Sequence, residues 1–243
     1  MDPAVLRDDM VAGLEHEAKG HVRSDRVASA MRSVPREPFV EDERTAYQDR
    51  DQEFRGTRVL APSTVARLIE ALDVRADDDL LVVGAGVGYT AAVLAEMVGA
   101  QRVHAVDITR PVVYAARQNL AEAGYDAVLV DCRDGGRGLP EYAPFDRILV
   151  EAAAIEPPRA LLDQLAPGGR LVIPLGSGPQ TLVAVEDGDI VAEFGSTSFD
   201  PLLVEGEQAD ALERNRTARE ERERARQSRG VGWELDWIDW EDD

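Results

Sequence analysis

The stretch Leu80-Leu81-Val82-Val83-Gly84-Ala85-Gly86-Val87-Gly88-Tyr89 decides the architecture of this chain. Four consecutive apolar residues read as a strand covered on both faces. Three alternating glycines then free the backbone to turn sharply and to approach a ligand closely. From Tyr89 to Val98 the sequence continues as an apolar helix. Strand, glycine loop and helix in that order open a nucleotide-binding α/β unit.

Outward from this stretch, short apolar runs alternate with amphipathic ones. Strands are predicted at 79–84, 102–107, 127–131, 145–151, 169–175, 181–186 and 190–195, and helices at 64–73, 88–98, 110–123 and 158–165. Such alternation implies a Rossmann-like α/β fold, a mostly parallel seven-stranded sheet with helices on both faces. Asp187-Gly188 marks a tight hairpin, so the sheet should end in an antiparallel pair. Three regions follow: 1–62, charged, with a helical pattern over 26–31; 63–204, the α/β domain; and 205–243, a polar extension. The extension runs through NRTAREERERARQSR, a solvated helix or a linker, into an acidic end. There Trp233, Trp237 and Trp240 share one helical face, which suits docking on the chain itself, on a second copy or on a partner.

The chain carries 47 acidic and 27 basic side chains, for a net charge of −20, and Lys19 is its one lysine. A surface of carboxylates and arginines fits a protein working at high salt, where repulsion is screened; a GC-rich genome is the other origin of such a bias. The same field argues against nucleic acid as partner. Cys132 is the one cysteine, so neither a disulfide framework nor a thiolate metal cluster is expected, and no metal is. With no signal-like N-terminus and no apolar run of about 18 residues, the expectation is a cytoplasmic protein without a membrane anchor.

Glycines alone do not name the ligand. The next strand ends in Asp107, about 20 residues after the loop, where a carboxylate accepts both ribose hydroxyls of an adenosine. A dinucleotide would be served equally well. Arg133-Asp134-Gly135 after the third strand separates the two, since an acid placed there accepts from the adenine amine of S-adenosylmethionine. Gly84, Ala85, Gly86, Gly88, Asp107, Asp134 and Gly135 are therefore the expected cofactor residues.

Further segments carry a family resemblance. Val34-Pro35-Arg36-Glu37-Pro38-Phe39-Val40, Ala46-Tyr47-Gln48-Asp49, Pro144-Phe145-Asp146-Arg147-Ile148, Ala152-Ala153-Ala154 and 165–176 (LAPGGRLVIPLG) resemble motifs of the protein-L-isoaspartate O-methyltransferases over residues 10–204. The resemblance implies methyl transfer from S-adenosylmethionine to the carboxylate of isoaspartyl residues in damaged proteins, the ester then collapsing to a succinimide. It also implies that substrate is gripped by the stretch Gly56-Thr57-Arg58-Val59-Leu60-Ala61-Pro62, with Ala153 beside it.

That stretch departs from the family pattern. Arg58 stands where the family has threonine, and Leu60 where it has the serine central to its chemistry. Arg58 either binds the substrate carboxylate or faces solvent, and Ser63 and Thr64 would replace the serine only if the loop slid. Val82 replaces an acid that helps hold the methionine amine. Glu151 occupies a small or hydroxylated position, where it either repels a carboxylate substrate or takes over the amine.

Overall fold

The computed structural model describes residues 2–16 and 20–203, so the three tryptophans and the polar extension lie outside the described residues. Two helices open the chain, α1 (Pro3–Glu15) and α2 (Asp25–Ser33). Each begins on a side-chain cap: Asp2 accepts from the Ala4 amide at 3.0 Å, and Ser24 accepts from Val27 at 3.2 Å. A short hairpin follows, β1 (Gln52–Phe54) and β2 (Thr57–Val59), turning on Arg55 and Gly56 at φ 49° and 80°. Then come α3 (Pro62–Leu72), β3 (Leu80–Val83), α4 (Tyr89–Val98), β4 (Val103–Asp107), α5 (Arg110–Glu122), β5 (Leu129–Cys132), β6 (Phe145–Val150), α6 (Arg159–Leu162), β7 (Leu165–Leu175), β8 (Gln180–Glu186) and β9 (Asp189–Thr197).

The sheet order is β5-β4-β3-β6-β7-β8-β9, with β3 to β7 parallel and β8 and β9 antiparallel. All seven expected strands are present. Asp187 and Gly188, at φ 51° and 88°, make the expected tight turn between the last two. The chain runs from β3 outward to β5, then returns to place β6 on the other side of β3. That reversal creates a crevice beyond the carboxyl ends of β3 and β6, where open α/β sheets bind ligands.

One sheet face carries Leu80, Val82, Ala105, Leu149 and Val172 against α2 to α5, in a single core that includes Met10, Val27, Met31 and Phe39. The N-terminal region is thus packed into the same core as the sheet. The other face carries Leu81, Val83, Ile148 and Leu171, covered by Leu161 of α6, Leu139 and Leu202. Two expectations shift in detail. The helix expected at 158–165 is a single turn, because β7 starts at Leu165 rather than 169. The β1–β2 hairpin was not foreseen, since each strand has only three residues and both are charged. Among the described residues, no helix is long and apolar enough to cross a membrane.

Candidate active site

The crevice at the strand reversal is a cavity of about 240 Å³. The glycine loop forms its floor: Gly84, Gly86 and Gly88 adopt φ of 85°, 51° and 93°, a region that favours glycine. The Gly84 and Ala85 amides both donate to the Val106 carbonyl at 2.9 Å, tying the loop to β4. Ala85, buried, supports the loop from beneath. Gly135 approaches so closely that a Cβ there would lie 2.4 Å from Val83 Cγ1.

Asp107, at the end of β4, lies on the cavity wall. Its carboxylate accepts from the Gly86 amide at 3.1 Å and from Thr109 at 2.8 Å, which fixes its plane while leaving lone pairs for a ligand's hydroxyls. Burial pushes this carboxyl up from its ordinary value, against the pull of those amides. Ile108, Val112 and Leu202 add apolar surface beside it. A carboxylate at a strand end, a glycine cradle and apolar walls fit the adenosine portion of S-adenosylmethionine.

Asp134 is placed differently from expectation. Its Oδ1 accepts from the Gly136 amide at 2.9 Å and its Oδ2 lies 3.6 Å from Arg137 Nε. It caps a turn and faces a separate groove of about 1050 Å³, while its neighbour Gly135 lines the cofactor cavity. The local reason is the Asp-Gly-Gly sequence, in which the side chain bonds the backbone two residues on.

The substrate stretch borders the same cavity. Thr57, Arg58 and Leu60 line it, whereas Val59 is core and Pro62 opens α3. The loop backbone is held from several sides. Arg36 Nη2 donates to the Leu60 carbonyl, Asp51 accepts from the Ala61 amide at 2.8 Å, and Asp49 accepts from Ser63 at 2.9 Å. These bonds fix the register, so Ser63 and Thr64 sit in the first turn of α3 and do not slide into the place of Leu60. Arg36 is fully buried, 4.4 Å above the Tyr89 ring, and burial lowers its affinity for its proton. Composition gives no hint of it, since an arginine is read as surface.

Arg58 is partly exposed and tied down from several sides. Nη2 donates to the Ser198 carbonyl at 2.8 Å, Nε lies 3.4 Å from Asp51, and the guanidinium sits 5.2 Å from the Phe199 ring centroid. It thereby joins the β1–β2 hairpin to the segment 198–203, which closes the cavity on its far side. That segment is anchored by Gln180, whose side chain bonds both the amide and the carbonyl of Phe199 at 2.7 and 2.8 Å. Ala153 completes the anchor, donating to Asp200 and accepting from Leu202, both at 2.8 Å. Ala153 is therefore a backbone rung under the cavity wall and does not itself line the cavity. The wall 199–203 was missed in the sequence because its anchors are distant in the chain.

Glu151, just past β6, is partly buried, with its Oε1 sealed from solvent. Its amide donates to Val83 at 2.8 Å, the Thr90 hydroxyl donates to its carboxylate, and Oε1 has no partner. Burial pushes its carboxyl up to about 7. Glu151 and Leu60 share the main cavity and a small crevice of about 20 Å³ between the glycine loop and the substrate loop.

Comparison with known proteins agrees with this geometry. The model of the protein-L-isoaspartate(D-aspartate) O-methyltransferase family matches residues 7–202. Among similar curated proteins, a protein-L-isoaspartate O-methyltransferase of Methanosarcina mazei is 43% identical over 185 residues, 74% of this chain and 74% of its own length. That of Methanopyrus kandleri is 46% identical over 196 residues, 76% of this chain and 87% of its own. Among solved structures, a protein-L-isoaspartate O-methyltransferase superposes with a TM-score of 0.70 at 28% identity, covering 80% of this chain and 65% of that one. A Plasmodium falciparum structure in complex with S-adenosyl-L-homocysteine shares the fold, with a TM-score of 0.71 at 22% identity over 81% of this chain and 97% of that one. The chain belongs to the protein-L-isoaspartate(D-aspartate) O-methyltransferase family.

Proposed function

We propose that this chain transfers a methyl group from S-adenosylmethionine to the carboxylate of isoaspartyl residues in damaged proteins and peptides, acting in the cytoplasm as a repair enzyme. The observation that carries the reading is the shared cavity: Gly84, Gly86, Asp107 and Gly135 on one side meet Thr57, Arg58 and Leu60 on the other.

Gly84, Gly86, Gly88, Asp107, Gly135 and Glu151 would hold the cofactor, which supplies a methyl group activated by its sulfonium charge. Asp107 orients the ribose hydroxyls through an oxygen pair already fixed by two amides. Ala85 lends the loop its buried support, and Asp134 acts on the adenine end through the turn that presents Gly135. A carboxylate acceptor has an ordinary pKa of about 4 and is ionised at neutral pH, so no base is needed. The work left to the protein is in-line positioning and exclusion of water. Arg58 keeps Nη1 without a hydrogen bond among the described residues, a charge-assisted donor for the acceptor carboxylate. Leu60, Phe199 and Leu202 shield the reacting atoms from solvent.

Labelled S-adenosylmethionine with an isoaspartyl peptide in molar salt should give base-labile label on the peptide, and none above background would overturn the reading. Leu60 and Glu151 together favour one second reading, a changed acceptor, which a screen of hydroxyl and amine acceptors separates from the first. Self-association or partner docking through Trp233, Trp237 and Trp240 belongs to the same proposal; deleting 205–243 should then lower the solution mass or abolish capture while sparing methylation.

A further inference from the structure

Oε1 of Glu151 is a buried oxygen without a hydrogen-bond partner among the described residues. This carboxyl lies at the strand reversal, beside the glycine loop, where a Cβ on Gly84 would come within 3.4 Å of the Glu151 carbonyl. It sits on the same sheet face as Leu149, whose register partner on β3 is Val82. One hydrogen bond, from Thr90 in the first turn of α4, reaches it, and Oε1 has none. Buried polar atoms without partners are rare in native proteins, and a bound ligand is one way such an atom is satisfied.

The groups around it specify the ligand's charge. Arg58 faces it from β2, Asp107 from β4, Asp200 from the segment 199–203, and Thr90 and Tyr89 from α4. Arg58 already bonds Ser198 and Asp51, so it is shared and does not neutralise Glu151 alone. Asp107 adds like charge. The site is short of a cation. Building on the cofactor reading above, we propose that Glu151 is the counter-ion for the α-ammonium of the cofactor's amino-acid end, its orphan Oε1 accepting from that ammonium. In the free protein the neutral carboxyl persists into the neutral range, because desolvation outweighs the Thr90 bond and the Arg58 field. On binding, the ammonium replaces the carboxyl proton as the positive partner and that proton leaves to buffer, so charge balances.

Titration calorimetry in two buffers of different ionisation enthalpy tests this. S-adenosylhomocysteine carries the ammonium without the sulfonium, and 5′-methylthioadenosine lacks the amino-acid end altogether. With the homocysteine ligand, close to one proton should be released per site at about pH 6 and none at about pH 8.5, with affinity falling up to about tenfold per unit below neutrality. Methylthioadenosine should bind without this proton release, which also controls for titration of Asp107 beside the ribose. In Glu151→Gln, affinity for the homocysteine ligand should be pH-independent across this range and at least about tenfold below wild type at pH 8.5. Equal proton release with both ligands, which needs no variant, or a Glu151→Gln protein matching wild type at high pH, would overturn the assignment. Failure of both ligands to bind at any pH would instead overturn the cofactor reading beneath it.

Discussion

Replacing Gly135 by alanine tests the packing under the cofactor cavity. The new methyl would lie 2.4 Å from Val83 Cγ1 and 3.6 Å from Val106 Cγ2, and both valines are fully buried. Val83 cannot yield easily. It is β-branched, and β3 pairs it in register with Val106 of β4 and Val150 of β6. Overpacking of this kind costs about 1–3 kcal/mol. In a protein of this size each kcal/mol lowers Tm by roughly 2–4 °C. The same methyl narrows a cavity of about 240 Å³, so affinity for S-adenosylhomocysteine should fall. Val83→Ala alone removes two methyl groups, about 1.6 kcal/mol of transfer free energy plus a cavity term. In the double variant the alanine methyl at 135 fills the space vacated at 83, so the combined cost should fall short of the sum by about 1–3 kcal/mol. Denaturant unfolding of the four proteins measures the cycle. Additivity within about 0.5 kcal/mol would refute the contact and the account of why residue 135 is glycine.

Three further outcomes follow from the site. Because the Glu151 carboxyl is raised from 4.5 to about 7, the folded state holds its proton more tightly than the unfolded chain. Its contribution to stability is therefore full below pH 4.5, declines through the interval to about 7 and is level beyond it, a loss of about 3 kcal/mol without cofactor. Denaturation against pH should show this slope in wild type and not in Glu151→Gln; identical slopes would contradict it. Arg58→Thr should lower isoaspartyl kcat/KM, because it removes both the donor proposed for the acceptor carboxylate and the link to Ser198, and unchanged kcat/KM would show that Arg58 does neither. Arg36→Met leaves the buried Leu60 carbonyl without its donor, so stability should fall by about 1–3 kcal/mol. Peptide KM should rise about tenfold while S-adenosylhomocysteine affinity holds, and a loss of both would assign Arg36 to the core alone.

The sheet was legible because its signals are local. Leu80 to Val83 read as a covered strand because a glycine loop ends the run, and Asp187-Gly188 is a hairpin by backbone preference. Asp107, picked out by its distance from the glycine loop, and Glu151, picked out by its departure from the family pattern at a strand end, both line the cavity. What escaped depends on contacts between distant segments. The β1–β2 hairpin holds its place through Asp51 and Arg58, and the wall 199–203 through Gln180 and Ala153. The turn that Asp134 caps was not foreseen, because an Asp before two glycines bonds the backbone two residues on. The role of Arg58 in joining loop to wall could not be read from its replacement of threonine, since its partner Ser198 lies 140 residues away.

The central claim is that the rewritten substrate loop still serves an isoaspartyl carboxylate. Mass spectrometry of two peptides differing only in an isoaspartyl or an aspartyl linkage, each incubated with S-adenosylmethionine, tests it directly. The isoaspartyl peptide should gain one methyl group and then lose methanol to the succinimide, while the aspartyl peptide stays unchanged. Cofactor bound but neither peptide methylated, or both methylated alike, would contradict the account.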